Sequence, residues 1–468
     1  MQKKNLLLSC VVALTSLSLV MAGCSSNNSS DSKDNATASA NKGANAEANK
    51  EANTEANSGA NSSADTTNNN APAADQAEPI KAQFYYDFAA LTKYITDVNP
   101  IVQASDNVTF EGVPYTDTTA YQTAVRIGFT TQEAPDLFKW WNGYKLKELA
   151  DSGNLADMTE QWNELTADEN GILPSLSGPL TVDGKIYGIP ASAHYWTIFY
   201  NKKVFADNGL TVPTTWDEFI KINDTLKAKD ITPIGTSIKD SWNGFIWFED
   251  LMIHSYPEVY KKLVVGQAKY TDPEVVEVME LWKSMYDKGY FSKPMTMDTE
   301  IPPAFAKGKI GMFLCGTWYE SFLTGAGLKP EEGYGSFIMP AIKPEAGKTV
   351  ISEITPFLVS KNAKNKEGAI KAALALTKKE ANEKLLAVFG GVPTRKDVEA
   401  SSPTIKALVD NISKDNYAAI TRYWEATPSE LSEYGSSEFI RFMLNPDQYM
   451  DVLNNIQKKA DKYWAENK

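Results

Sequence analysis

Histidine is nearly missing from this sequence: His194 and His254 are the only two in 468 residues. That scarcity argues against a multi-histidine zinc site. Cysteine is scarce too, with Cys10, Cys24 and Cys315 the only three. The chain also lacks His-Glu-x-x-His, Gly-x-Ser-x-Gly and Gly-x-x-x-x-Gly-Lys-Ser/Thr. Gly325-Ala326-Gly327 starts like a dinucleotide loop, yet residue 330 is proline and no strand leads into a helix there. Positive charge is in the minority, with 46 Lys and Arg against 59 Asp and Glu and a net charge of −13. Nucleic-acid binding relies on Lys and Arg neutralising phosphates, so a polyanionic partner is disfavoured. One enzyme class survives these absences. A glycosidase needs only two carboxylates facing across a sugar, and acids are plentiful.

The N-terminal part lacks what a fold needs. Lys3 and Lys4 precede an apolar run from Leu6 to Val20 and then Met21-Ala22-Gly23-Cys24. This is the pattern of a secretory signal, too short for an ordinary membrane span. Its end resembles the bacterial lipobox. The resemblance implies a signal peptide over 1–23 and a lipidated Cys24 as the first mature residue; the alternative is an ordinary export signal with an incidental cysteine. No aromatic or large aliphatic residue occurs between Ser25 and Pro79, a stretch that includes GANAEANKEANTEANSGAN. Such a segment cannot bury enough apolar surface to offset chain entropy, so 24–79 reads as a flexible tether. Cys315 is then left without a disulfide partner, and reads as a small buried residue at the end of a strand over Ile310–Leu314.

From Ile80 onward the chain is rich in Trp, Tyr and Phe. It is too long for one ordinary core, which suggests two lobes. Strand-like and helix-like segments alternate. Gln83–Phe88 reads as a strand, followed by a helix, a strand near Asn107–Val113, another helix, and the short apolar strand Pro135–Phe138. That rhythm indicates an α/β sheet. Several boundaries are written locally. Asp183-Gly184 is a two-residue hairpin turn, Thr215 and Glu218 form a capping box, and Asp272-Pro273-Glu274 opens a helix.

Aromatic residues recur with polar neighbours at the expected strand ends and loops. They are Trp140 with Asn142, His194-Tyr195-Trp196, Trp242 with Asn243, Trp318-Tyr319, and Arg422-Tyr423-Trp424-Glu425. A sugar offers an apolar C–H face and an edge of hydroxyls, so a site for it combines such rings with placed polar groups. Any single tryptophan is more often core packing; Trp216, Trp282 and Trp464 lie in helix patterns and are read that way.

Seven segments, weak singly, occur in an order that resembles the extracellular solute-binding proteins of ABC sugar importers, the maltodextrin-binding family. They are Ala134-Pro135-Asp136-Leu137-Phe138, Gly153–Thr159, Gly184–Pro190, Phe199-Tyr200-Asn201-Lys202, Pro213–Phe219, Ala304–Trp318 and Gly391–Arg395. The resemblance implies an α/β, two-lobe binding-protein fold, with lobe 1 at 80–190 plus 357–400 and lobe 2 at 191–356 plus 401–468. It implies a sugar or oligosaccharide ligand, a membrane permease as partner, a monomer lipid-anchored outside the bacterial cell membrane, and no catalysis, cofactor or metal. A secreted glycoside hydrolase and a same-fold binder of another solute are the alternatives. The ligand-binding residues implied are Trp318 and Trp140 with Asn142, then Trp242, Asp87, His194, Tyr195, Glu353, Arg422 and Trp424. For His194 a buried, satisfied imidazole is an equal reading, and for Glu353 a hinge salt bridge. Trp140 is expected to face the cleft and Trp141 to pack against its own lobe.

Overall fold

The computed structural model describes residues 78–467 apart from Gln132 and Asp240. The signal peptide, Cys24 and most of the tether lie outside the described residues. Three parallel strands begin the fold: β1 (Ile80–Tyr86), β2 (Val108–Pro114) and β3 (Leu137–Lys139), with β1 between the other two. The helix Ala90–Asp106 connects β1 to β2. The helix Thr118–Phe129 connects β2 to β3, and Asp117 caps it by accepting from the Ala120 N–H. Two short strands, β4 (Thr181–Val182) and β5 (Lys185–Ile186), form the hairpin around Asp183-Gly184. Both turn residues have positive φ, 49° and 76°, as a tight turn of this length requires.

The strand that follows decides the architecture. β6 (Ile189–Asn201) is 13 residues long and belongs to both halves of the molecule. β7 (Thr232–Ile234), β8 (Ile310–Gly316) and β9 (Tyr334–Phe337) extend the second half, and β10 (Thr349–Val359) runs back antiparallel to β6. β10 pairs with β3 at its far end and with β11 (Ala418–Thr421) at its near end. The order β2-β1-β3-β10-β6-β8-β7 is thus one path crossing two lobes, joined through β6 and β10.

Packing divides at those crossing strands. One apolar cluster holds β1–β3 and the helices around them; Ile189, Ala191, Ile354 and Phe389 belong to it. A larger cluster holds β7–β9 and the C-terminal helices, and includes Trp196, Ile351 and Val392. The changeover therefore falls at 191–196, 351–354 and 389–392. Cys315 is fully buried in β8 and has no disulfide. The capping box forms as read: the Glu218 N–H donates to Thr215 Oγ1 at 3.2 Å, and Glu218 Oε2 accepts from the Thr215 N–H at 3.2 Å. Among the described residues no helix is long and apolar enough to cross a membrane.

Candidate functional site

Side chains alternate along a strand, and that alternation builds the site where β6 crosses β10. Ser192, His194 and Trp196 share one face of β6, and Glu353 of β10 stands opposite His194. The carboxyl ends of β1, β3 and β8 deliver Asp87, Trp141 and Trp318 to the same place, as expected for a crevice at strand ends in an open α/β sheet. A cavity of about 290 Å³ results, with Asp87, Lys139 and Trp141 on the lobe 1 side and Trp242, Trp318 and Trp424 on the lobe 2 side.

The lobe 2 wall is built from tryptophans in edge contact. Trp318 lies 6.0 Å from Trp242 and 6.4 Å from Trp196, at 70° and 83°. Trp196 is buried beneath them, while Trp242 and Trp318 reach the cavity. On the opposite wall Lys139 Nζ sits 4.2 Å from the Trp141 ring centroid and 2.9 Å from Asp87 Oδ1. Thr118 donates its hydroxyl to the other Asp87 oxygen at 2.9 Å. Trp141 is therefore held in place by a cation on its face.

Arg422 organises the floor. Its Nη1 meets Glu353 Oε2 at 2.6 Å, its Nε donates to Glu425 at 2.9 Å, and its guanidinium lies 5.0 Å from the Trp196 centroid. Burial opposes the Arg422 charge, but Glu353, Glu425 and Glu249 outweigh it and hold the pKa above its ordinary value. Burial pushes Glu425 up to about 7, and one of its oxygens has no partner. Glu249, pushed well up by burial, accepts from the Tyr423 N–H at 2.6 Å. His194 has Thr317 Oγ1 at 3.1 Å from Nδ1 and Ser192 Oγ at 2.9 Å from Nε2. Burial lowers its pKa to about 4, so the ring is neutral near pH 7.

Asp87, His194, Trp242, Trp318, Glu353, Arg422 and Trp424 are thus brought together around one cavity. Three residues are placed elsewhere. Trp140 is completely buried in lobe 1 against Phe138 and Tyr121, and Trp141 takes the cleft position. The extended backbone continues past β3, with the Trp140 N–H donating to Pro356 O at 2.9 Å. Alternation then sends Lys139 and Trp141 to the cavity and Trp140 inward, where its Nε1 donates to Lys145 O at 2.9 Å. Asn142 is buried at the start of the helix Gly143–Asp151 and does not line the cavity; its Oδ1 has no hydrogen-bond partner. Tyr195 faces away, as the neighbour of His194 must, and packs on Ile338, Val350, Leu408 and Ile412.

Sequence reasoning missed Lys139, Lys239 and Asp298 as cavity residues. Lys239 and Asp298 pair at 3.1 Å from segments far apart in the chain, so no local signal marks them. Trp196 was legible, because it lies two residues beyond His194 on the same strand. No group of three or more His, Cys, Asp or Glu that could hold a metal occurs among the described residues.

Residues 98–411 match the family described as Bacterial extracellular solute-binding protein. An uncharacterized ABC transporter extracellular-binding protein of Pyrococcus horikoshii is 26% identical over 235 residues, covering 47% of this chain and 51% of the relative. The multiple sugar-binding protein of Streptococcus mutans is 26% identical over 255 residues, 52% of this chain and 60% of that one. The chain thus spans about half to three-fifths of the length of these curated relatives. A solved chitin oligosaccharide binding protein superposes with a TM-score of 0.70 at 22% identity, over 82% of this chain and 99% of that one, which shows a shared fold. With a family match over most of the folded body and the two-lobe cleft to go with it, this chain belongs to the bacterial extracellular solute-binding protein family.

Proposed function

We propose that this chain is the substrate-binding component of an ABC importer, capturing a carbohydrate outside the membrane and delivering it to a permease. One observation carries the reading: Trp141, Trp242, Trp318 and Trp424 surround a single cavity whose other lining includes Asp87, Lys139, Glu353 and Arg422 in ion pairs. Tryptophan faces match the C–H face of a sugar ring, and the flanking charged groups exchange hydrogen bonds with hydroxyls. At about 290 Å³ the space sits near the lower end of small-ligand pockets, roughly 300–1,000 Å³. That size favours a short oligosaccharide or a single sugar. The sugar-binding relative and the sugar-binding structural neighbour support the ligand class.

In this reading the protein is a monomer that does no chemistry. Lobe 1 (80–190 with 357–400) and lobe 2 (191–356 with 401–468) close over the ligand by bending at β6 and β10. Ligand contacts made to both lobes at once favour the closed form. A signal peptide and a lipid on Cys24, followed by the tether over 24–79, keep the body at the outer face of the cell membrane.

The test is a thermal-shift screen of residues 78–468 against mono- and oligosaccharides, with product analysis of every hit. Binding to the folded state raises the melting temperature by mass action. Trp318→Ala should remove the shift and leave the fold intact. Cleaved product would refute the transport role, and silence across all sugars would refute the ligand class.

A further inference from the structure

The helix that follows the double tryptophan, Gly143–Asp151, carries lobe 1 side chains into lobe 2. Leu146 and Leu149 hold it in the lobe 1 core. Lys145 and Glu148, three apart and so on one face, both contact residues of the lobe 2 segment 424–433. Lys145 Nζ lies 3.9 Å from the Trp424 centroid, 3.2 Å from Ser429 Oγ and 3.6 Å from Glu433 Oε1. The Lys145 side chain is 0% exposed, although Glu433 is 49% exposed. Glu148 accepts from the Ser429 N–H at 2.9 Å and from the Ser429 hydroxyl at 2.7 Å. A lobe 1 carboxylate thereby satisfies the free N-terminal amide of the lobe 2 helix Ser429–Leu444.

Gly143 completes the contact. Its backbone lies directly against Glu425, where a Cβ would run into the Glu425 carbonyl oxygen. On one side of this junction is the cleft holding Trp424; on the other is a second cavity of about 590 Å³, lined by Tyr144, Lys147, Asp183, Val264 and Ala419 among others. Glu425 lines both. The junction is therefore a partition between two spaces that both lie between the lobes.

We infer that Gly143, Lys145 and Glu148 latch lobe 1 to the 424–433 segment, and that this latch is a specificity device: it positions Trp424 and ends the cleft, limiting how long a ligand can be. The inference rests on the carbohydrate reading for the ligand and on geometry alone for the latch. With the latch shut, a chain longer than the cleft must push against Glu425. With the latch parted, the two cavities become continuous and a longer chain can pass. None of the three latch residues borders the cleft: Gly143 acts through Glu425, Lys145 through Trp424, and Glu148 through Ser429 of the same segment.

The test pairs two glycines at the ends of this helix, Gly143 as its first residue and Gly153 two residues past its last. Gly143 and Gly153 both have left-handed φ, 64° and 73°, so an alanine at either carries a similar backbone cost. Only at Gly143 does the added Cβ meet the other lobe; nothing lies within 4 Å at Gly153. Small-angle scattering of sugar-free protein should therefore show Gly143→Ala more expanded than wild type and Gly153→Ala unchanged, with Glu148→Ala moving in the Gly143→Ala direction. Affinities should then be measured across one oligosaccharide series, from the disaccharide to the hexasaccharide. Wild type should lose affinity more than tenfold beyond a short length, and Gly143→Ala should bind the longer members better than wild type does. Equal scattering for wild type, Gly143→Ala and Gly153→Ala overturns the latch, as does an unchanged length profile. If no sugar of any length binds wild type, the carbohydrate reading fails while scattering still decides the latch.

Discussion

Trp140 and Trp141 are adjacent in sequence and opposite in predicted consequence, so the pair tests the site directly. Trp140 is 0% exposed, its ring contacts Phe138 at 5.9 Å and Tyr121 at 5.9 Å, and its indole N–H satisfies Lys145 O. Trp140→Ala removes a large core side chain, which costs about 3–5 kcal/mol. At about 2 cal/mol/K of unfolding entropy per residue, a loss of about 4 kcal/mol lowers the melting temperature of a body this size by roughly 5 °C, more if lobe 1 melts alone.

Trp141 is a different case. Its ring borders the cleft and rests against Lys139 and Tyr121. Truncating a cleft ring of this kind should weaken ligand binding by about 2 kcal/mol, roughly thirtyfold in Kd, with a much smaller change in melting temperature. Calorimetric titration with the best sugar from the screen, alongside scanning calorimetry of both variants, reads the two effects separately. The reasoning fails if Trp141→Ala melts as low as Trp140→Ala, or if Trp140→Ala weakens binding at an unchanged melting temperature.

Three further outcomes follow from the buried charges. Arg422→Met removes the cation shared by Glu353 and Glu425, and breaking a buried pair costs about 3–5 kcal/mol; the urea midpoint should fall at pH 7.5, and an unchanged midpoint would contradict the role given to Arg422. Acidification should restore part of that loss, because protonated carboxyls no longer need the arginine; a pH-independent deficit would contradict it. Wild-type stability should also depend on pH in a set way. Glu425 and Asp250 keep their protons up to about 7 and about 8, against ordinary values of 4.5 and 3.8, both mainly through burial. Over those windows the folded protein holds protons that the unfolded chain has lost, so stability falls as pH rises. His194 and His254 stay neutral down to about 4 against an ordinary 6.5, again through burial, so stability falls as pH drops below 6.5. The two effects oppose each other between 4.5 and 6.5, and only the carboxyls act from 6.5 to 7 and beyond. Glu249, likewise pushed well up by burial, adds to the carboxyl side, so melting temperature should decline gently in the first range and more steeply above it; a rise from pH 6.5 to 8 would refute the assignment.

Features set by near neighbours could be read from the sequence. The Thr215–Glu218 box and the Asp183-Gly184 turn each involve residues within a few positions of one another, so the residue types carry the geometry. The strand-end tryptophans were legible for a related reason: an aromatic after a short apolar strand in an α/β pattern falls near the crevice. What could not be read was anything whose partner lies far along the chain. Trp140 turns inward because its N–H joins Pro356 on β10, and a register defined by that distant strand is invisible at Trp140-Trp141 itself.

The stretch from Lys139 to Glu148 makes the same point more sharply. Gly143-Tyr144-Lys145-Leu146-Lys147-Glu148 reads as an ordinary amphipathic helix start, with Leu146 inward and charges outward. Lys147 does remain on such a surface, pairing with Asp151 at 2.9 Å. Lys145 does not, because lobe 2 covers it: burial brings its pKa down to about 8, against the opposing pull of Glu433, Glu148 and Glu425 and with Arg126 adding to the fall. Two lysines two residues apart thus differ in exposure, partners and charge cost, and nothing in the helix pattern separates them. Their difference is created when the 424–433 segment docks. Within ten residues the chain supplies a cleft cation at Lys139, a core ring at Trp140, a cleft ring at Trp141 and a contact with the opposite lobe at Lys145. Each of these roles is assigned by a partner from another segment, and it is at the docking of those segments that the fold turns a local pattern into a site.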